Sequence, residues 1–260
     1  MPQIELVSGK SSYERYQDLN YELWYAIAEF VDNSIQSYID NKDQLDQSRD
    51  DEFTVKIDFL DDEICITDNA YGMDFEGLED LARVGRDKGQ TKSGKNLSEF
   101  GMGLKTGGFW FGRKIEIVTK QFGSKSTYKL TFDLDLNNQD NLIINNDEHP
   151  VNYSFTKITL SNLYRTYATR TVGKAKLYLG AMYANFIRRG EVHIIWNNDK
   201  IPGYSIDPLK VDDDGRVDDN GTPKQWPIDM DINGKKITGF VALAKDGSRM
   251  TAGFAISRND

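Results

Sequence analysis

Tyr21-Glu22-Leu23-Trp24-Tyr25-Ala26-Ile27-Ala28-Glu29-Phe30-Val31-Asp32-Asn33-Ser34-Ile35-Gln36-Ser37-Tyr38-Ile39 is the stretch on which the fold turns. Leu23, Ile27, Val31, Ile35 and Tyr38 recur every three or four residues, the period of a helix with one buried stripe. Glu29, Asn33 and Gln36 stand at i, i+4 and i+7 and share the face opposite that stripe. A carboxylate can take a proton from water, and an amide oxygen one turn away can hold a hard cation. An ordinary solvated face would look the same, so the neighbouring segments must decide. Asp32 reads as a surface charge rather than as a further acidic neighbour.

Downstream, Thr54 to Phe59 alternates Val55, Ile57 and Phe59 against polar residues, as a half-buried strand does. Asp61-Asp62 turns the chain into a second strand, Glu63 to Thr67. Asp68 continues the alternation of Ile64 and Ile66, so its carboxylate is expected on the core side. There it must accept hydrogen bonds or carry a large penalty. An adenine amino group is one donor that fits; a turn aspartate capping Asn69 to Met73 is the plainer alternative. Asn41 to Asp51 reads as a polar loop, Phe75 to Val84 as a short helix, and 85–99 as a long Lys/Gly/Ser-rich loop of the length expected for a lid.

Phe100-Gly101-Met102-Gly103-Leu104-Lys105-Thr106-Gly107-Gly108 leads into a helix over Leu104 to Phe111. Glycines before a helix let backbone amides approach phosphate oxygens, and Lys105 would add a positive charge. Gly89 to Asn96 nearly matches a P-loop, but Asn96 stands where Ser or Thr must hold magnesium, and no buried strand precedes it. Strands follow at Lys114 to Thr119, Thr127 to Leu134 and Tyr153 to Leu160. In the last, Thr156, Ile158 and Leu160 share a face, which turns the Thr156 hydroxyl inward. Beyond Leu163 the pattern changes. Lys174 to Arg189 reads as one helix, Glu191 to Trp196 as a strand, and Val211 to Gly221 as an acidic loop. Asn233-Gly234 forms the turn of a hairpin, and Ala252 to Ser257 is strand-like.

The 260 residues suit one large domain or two modest ones. A net charge of -9 disfavours general binding to a phosphate backbone. The single cysteine, Cys65, can make no internal disulfide and reads as a small buried hydrophobe. No apolar run is long enough to span a bilayer, and Met1 to Lys10 lacks the layout of a signal peptide. A soluble, intracellular (cytoplasmic) protein with no membrane partner is expected.

Glu29 to Ser34, Asp68 to Met73, Gly101 to Lys105 and Thr156 to Leu160, in that order, resemble the four motifs of the GHKL superfamily. That superfamily includes gyrase-type topoisomerases, MutL proteins, Hsp-type chaperone ATPases, histidine kinases and MORC ATPases. Glu-Phe-Val-Asp-Asn-Ser, Phe-Gly-Met-Gly-Leu-Lys and Thr-Lys-Ile-Thr-Leu-Ser-Asn-Leu are most similar to the MORC type, with MutL next. The resemblance implies an α+β Bergerat-fold sandwich, with helices on one face of a mixed sheet, over residues 1–165. It implies a ribosomal-S5-like transducer domain over 166–260, read as incomplete and so as part of a longer protein.

By the same resemblance the ligands are ATP and Mg2+. Glu29 activates water and Asn33 binds magnesium. Asp68 accepts the adenine amino hydrogen with support from Thr156, and Gly72 and Met73 shape the base pocket. Gly101, Met102, Gly103, Leu104 and Lys105 hold the phosphates under the lid, Lys105 with a catalytic charge. Lys245 or Arg249 would reach the terminal phosphate. Gln36, Ala70 and Phe155 depart from residues common in relatives. An ATP-dependent homodimer is implied, with Met1 to Tyr16 at the interface. Contact with DNA would come through Lys174, Lys176, Arg188 and Arg189, the full-length protein or partners. A histidine kinase is disfavoured, since neither His149 nor His193 lies on a long N-terminal helix. The rivals that remain are a nucleotide-operated switch without useful hydrolysis and an interaction module with an empty pocket.

Overall fold

The computed structural model describes residues 13–82, 103–136, 143–146, 150–247 and Gly253. Two compact units divide the chain, Met1–Gly203 and Tyr204–Asp260.

In the first unit, α1 (Leu23–Asp40) carries the expected stripe and more, since Ala26, Phe30 and Ser34 are buried beside Leu23, Ile27, Val31 and Ile35. α2 (Lys42–Ser48) occupies most of the expected loop at Asn41 to Asp51. It forms because Leu45 is buried and the Tyr38 hydroxyl donates to Asp46 at 2.7 Å, which docks one short turn of otherwise polar sequence. β1 (Thr54–Phe59) and β2 (Glu63–Asp68) pair antiparallel. α3 (Phe75–Ala82) follows, then α4 (Gly103–Phe111), which includes the glycine expected just ahead of the helix. The lid segment lies outside the described residues. β3 (Gly112–Lys120), β4 (Ser126–Asp133), β5 (Ile143–Asn146) and β6 (Phe155–Leu163) complete the antiparallel part.

The helix expected over Lys174 to Arg189 is two, α5 (Thr169–Met182) and α6 (Ala184–Arg188). They part at Tyr183, which leaves helical backbone (φ -99°, ψ 16°) and buries its ring. β7 (His193–Trp196) then pairs parallel with β1, and β8 (Asp199–Lys200) closes the edge. The eight strands run β5-β4-β3-β6-β2-β1-β7-β8, a mixed sheet with one parallel pair. The first unit runs to Gly203. The physical reason is the burial of Ile194 and Trp196 in the sheet and of Ala175 and Leu179 under α5, which packs on α1. No periodicity in the sequence says which sheet a strand will join.

The core lies between the sheet and α1, α4 and α5, with α4 lying on β3 and β6. One row of partners crosses five strands, Ile57–Ile66–Ile158–Ile117–Leu130, and all five side chains are buried. Two residues further along β2, the row reads Val55–Asp68–Thr156–Thr119–Tyr128. A continuous apolar layer therefore ends in a polar patch at one end of the central strands, which positions the site.

The second unit contains a short ladder of β9 (Lys210–Val211) with β10 (Thr222–Pro223) at the ends of the acidic loop. It also contains the hairpin β11 (Gln225–Ile232) and β12 (Lys235–Ala242). Asn233 and Gly234 hold the expected positive φ values, 54° and 76°. No helix among the described residues is long and apolar enough to cross a membrane.

Ile158→Ala, at the centre of the buried row, is expected to cost about 2–5 kcal/mol in urea unfolding. Lys157→Ala, on the same strand but exposed, is expected to change stability by no more than about 0.5 kcal/mol.

Candidate functional site

Asp68 ends β2 on the helix side, only 7% exposed. The Ser34 hydroxyl of α1 donates to its Oδ2 at 2.7 Å, and the Ala70 amide donates to its Oδ1 at 3.0 Å. Burial pushes the Asp68 carboxyl up to about 6. The Ser34 hydrogen bond, backbone hydrogen bonds and the charge of Arg49 pull the other way. Arg49 is held close by donating to the Asn69 carbonyl at 2.7 Å. A carboxylate offers about four acceptor positions, so these donors leave room for one more.

Thr156 sits opposite Asp68 and is also buried. Its hydroxyl lies 3.1 Å from that of Thr119, which also contacts the Phe155 carbonyl at 3.0 Å. The Met73 amide donates to the Thr119 hydroxyl at 2.9 Å. Thr119 therefore ties β3 and β6 to the Gly72-Met73 turn. Gly72 holds φ 74°, and a Cβ there would lie 2.0 Å from the Lys120 carbonyl oxygen. Only glycine lets the turn lie this close to β3.

α1 leads from Ser34 back to Asn33 and Glu29, both half-buried. Neither side chain makes a hydrogen bond or ion pair within the described residues, so the Asn33 amide oxygen is available to a cation. Burial first, and the Asp32 charge second, push the Glu29 carboxyl up. A Cβ on Gly103 would lie 2.0 Å from Glu29 Oε2, so α4 begins against that carboxylate. The amides of a helix's first turn lack partners inside the helix and favour anions. Gly101 and Met102, expected to share in this, lie outside the described residues. Leu104 is buried at 6% exposure.

Lys105 differs from expectation. Its side chain is 3% exposed, its Nζ donates to the Ala82 carbonyl at 3.1 Å, and it lies over the Tyr13 and Phe132 rings. Burial lowers its pKa to about 8. Helical geometry explains the direction, since Lys105 stands two residues on from Gly103 and so projects to another side of α4. Lys245 is ion-paired with Asp219 inside the second unit, and Arg249 lies outside the described residues. Lys174 pairs with Glu22, Lys176 with Asp199 and Arg189 with Glu191, while Arg188 donates to Asn185. Gln36 donates to Asp40 at 2.8 Å. Met1 to Ser12 lie outside the described residues, whereas Tyr13 packs on this chain's own Phe109 with ring centroids 4.9 Å apart.

Sequence reasoning passed over Ser34 and Thr119 and took Asp32 for a surface charge. Ser34 and Thr119 carry readable signals, one turn from Phe30 on the buried side of α1 and in alternation with Ile115 and Ile117 on β3. Asp32 is no free surface charge, for the Tyr183 hydroxyl donates to it at 2.7 Å. Burial raises the Asp32 carboxyl to about 6 despite that bond. An open cleft of about 360 Å³ also touches Asp68, but Thr54, Lys56, Thr67 and Phe155 line it from the other face of the sheet.

Asp68 gives the fold a pH dependence. Its folded value of about 6 exceeds the ordinary 3.8, so the native state holds a proton that the unfolded state has lost between these values. Stability present below about pH 4 is therefore lost as pH rises through about 6. Asp68→Asn is expected to flatten part of this slope in urea titrations, with Asp32 supplying the rest. In thermal melts, Gly72→Ala is expected to lower Tm more than Gly123→Ala. Gly123 shares the positive φ (79°), but an added Cβ there meets nothing within 4 Å.

Residues 21–164 match the family described as histidine kinase-, DNA gyrase B- and HSP90-like ATPases. No curated protein matches the chain. Among solved structures, the ATPase region of Saccharomyces cerevisiae topoisomerase II bound to ICRF-187 (dexrazoxane) is similar, with TM-score 0.51 and 12% identity. Another structure of the same region gives TM-score 0.50 and 10% identity. Each alignment covers 69% of this chain and 48% of the other, so the chain spans about half the length of the structures it matches. At such identity the likeness shows the fold, a mixed sheet with helices on it. With more than half of its length matched, over residues 21–164, the chain belongs to the histidine kinase-, DNA gyrase B- and HSP90-like ATPase family.

Proposed function

We propose that this chain binds ATP with magnesium and hydrolyses it slowly, using ATP to close a lid and to dimerise. The observation that carries this reading is the Glu29 carboxylate. It is half-buried, raised in pKa, and set against the start of α4 one turn from the amide of Asn33, and neither group has a hydrogen-bonding partner among the described residues. A solvated charge has no need of that setting, whereas a general base gains from a pKa closer to neutrality.

In this reading the adenine amino group donates to the acceptor position that Asp68 has left, beside the Thr156 hydroxyl. Gly72 and Met73 border the base. Backbone amides of Gly103 and Leu104 would face the phosphates, and the Asn33 oxygen would hold magnesium there together with phosphate oxygens. When bound, the ion supplies neutralisation of phosphate charge. Glu29 takes a proton from a water as that water attacks the terminal phosphorus. The bond to the bridging oxygen breaks, and ADP and phosphate leave. Positioning and charge carry most of such a reaction.

The MORC-like or MutL-like character, the transducer role of residues 166–260, and a DNA-related or defence process are parts of the same proposal. It rests on motif resemblance. DNA contact through the basic residues of α5 and α6 has less support, because each of them has an intrachain partner. The rival reading, a nucleotide-operated switch without turnover, draws on the inward turn of Lys105 and the pairing of Lys245 with Asp219.

Phosphate release separates the two. Glu29→Gln is expected to lower it by about 100-fold or more while nucleotide still raises Tm. Equal rates in wild type and variant favour the switch. Light scattering with a non-hydrolysable ATP analogue and magnesium is expected to show a doubled mass; a nucleotide-bound monomer contradicts the dimer.

A further inference from the structure

Tyr183 lies outside every motif above, yet it reaches the turn of α1 that carries the site. Its ring is buried at 3% exposure where α5 gives way to α6. Its hydroxyl donates to Asp32 Oδ1 at 2.7 Å and lies 3.3 Å from the Ala28 carbonyl. Ala28 and Asp32 flank Glu29, and Asn33 comes next in the chain. The hydroxyl has one hydrogen, and the nearer, charged acceptor takes it. Burial and the charges of Asp32 and Glu29 keep the phenol well above its ordinary range, so it stays a donor.

Without that donor, the Asp32 carboxylate could leave the α5 side. Glu29 and Asp32 are three residues apart on one helix, close enough to repel. The same tyrosine stands beside the way out of the first unit. A Cβ on Gly180 would lie 2.5 Å from the Pro202 carbonyl oxygen, and one on Gly203 would lie 3.1 Å from that of Ala184. The segment leading to Tyr204 is thus packed against the residues on either side of Tyr183.

We infer that Tyr183 is a positioning residue for ATP hydrolysis: by holding Asp32 on the α5 side, it keeps the Glu29 carboxylate free and aimed at the attacking water. The inference rests on the proposed role of Glu29. It assigns no contact with nucleotide to Tyr183, so its loss acts on kcat and leaves nucleotide affinity in place.

The test compares phosphate release, calorimetric affinity for a non-hydrolysable ATP analogue, and urea stability in wild type, Tyr183→Phe, Asp32→Ala and the double variant. Tyr183→Phe keeps the ring and removes only the donor. Its kcat is expected to fall about 10- to 100-fold, the cost of a misplaced reacting group, with affinity within about twofold of wild type. In the Asp32→Ala background, Tyr183→Phe is expected to cause no further loss, because the group it restrains is gone. A purely structural tyrosine would give additive effects and an unchanged kcat-to-KM balance. Wild-type kcat in Tyr183→Phe, additive losses in the double variant, or a loss of affinity equal to the loss of turnover each overturns the inference. If Tyr183→Phe does not fold, Asp32→Ala on its own must leave Tyr183→Phe/Asp32→Ala no slower than itself, and a slower double variant overturns it. Glu29→Gln is run alongside. Full turnover there removes the reading of Glu29 itself, whereas an inactive Glu29→Gln beside a fully active Tyr183→Phe removes only the role of Tyr183.

Discussion

A carboxylate buried at the end of a central strand is the constraint to which the rest of the site answers. Asp68 cannot sit under α1 without donors, because an uncompensated charge in the interior costs several kcal/mol. The donors come from two directions, the Ser34 hydroxyl of α1 and the Ala70 amide of the turn after β2. Once Ser34 is bound to Asp68, the rotation of α1 about its axis is set relative to the sheet. Asn33 and Glu29 then fall where they do because they share the helix with Ser34. The buried row of isoleucines fixes the same register from below, so packing and polar pairing agree.

The charges around α1 divide into those that are satisfied and those that are not. Asp68 and Asp32 each receive a hydroxyl donor from another element. Lys105 gives its ammonium to a carbonyl and to aromatic rings in the core. Glu29 and Asn33 stand apart from this economy, with no hydrogen-bonding partner among the described residues. Polar groups held half-buried and unpaired beside a helix start are poised for a ligand rather than for stability. The close approach at Gly72 has the same sense, since it brings a turn against β3 at the edge of the polar patch.

Much of this was legible in the residues. The stripe on α1 and the alternation along β2 and β6 placed Glu29, Asn33, Asp68 and Thr156 on the faces they occupy, because side-chain direction follows directly from helical and strand period. A helix following the glycines was legible. Lys105 was not, since a basic residue after glycines says nothing of which way the helix will turn it. The extent of the first unit was hidden for another reason. β7 pairs with β1 from far along the chain, and a parallel pairing over such a separation leaves no local pattern. Tyr183 was hidden by the same distance, its partner Asp32 lying on the far side of the motifs. The short helix α2 depends on one buried leucine, Leu45, in a polar stretch that has no period of its own.

The central claim is that Asp68 receives a nucleotide base. Isothermal titration of a non-hydrolysable ATP analogue with magnesium into wild type and Asp68→Asn tests it most directly, at pH 7.5 or above so that the wild-type carboxyl is ionised. The account predicts saturable binding to wild type and a loss of at least about 10-fold in Asp68→Asn, the scale of one charge-assisted hydrogen bond. Equal affinity in both proteins, with the variant folded, would contradict it.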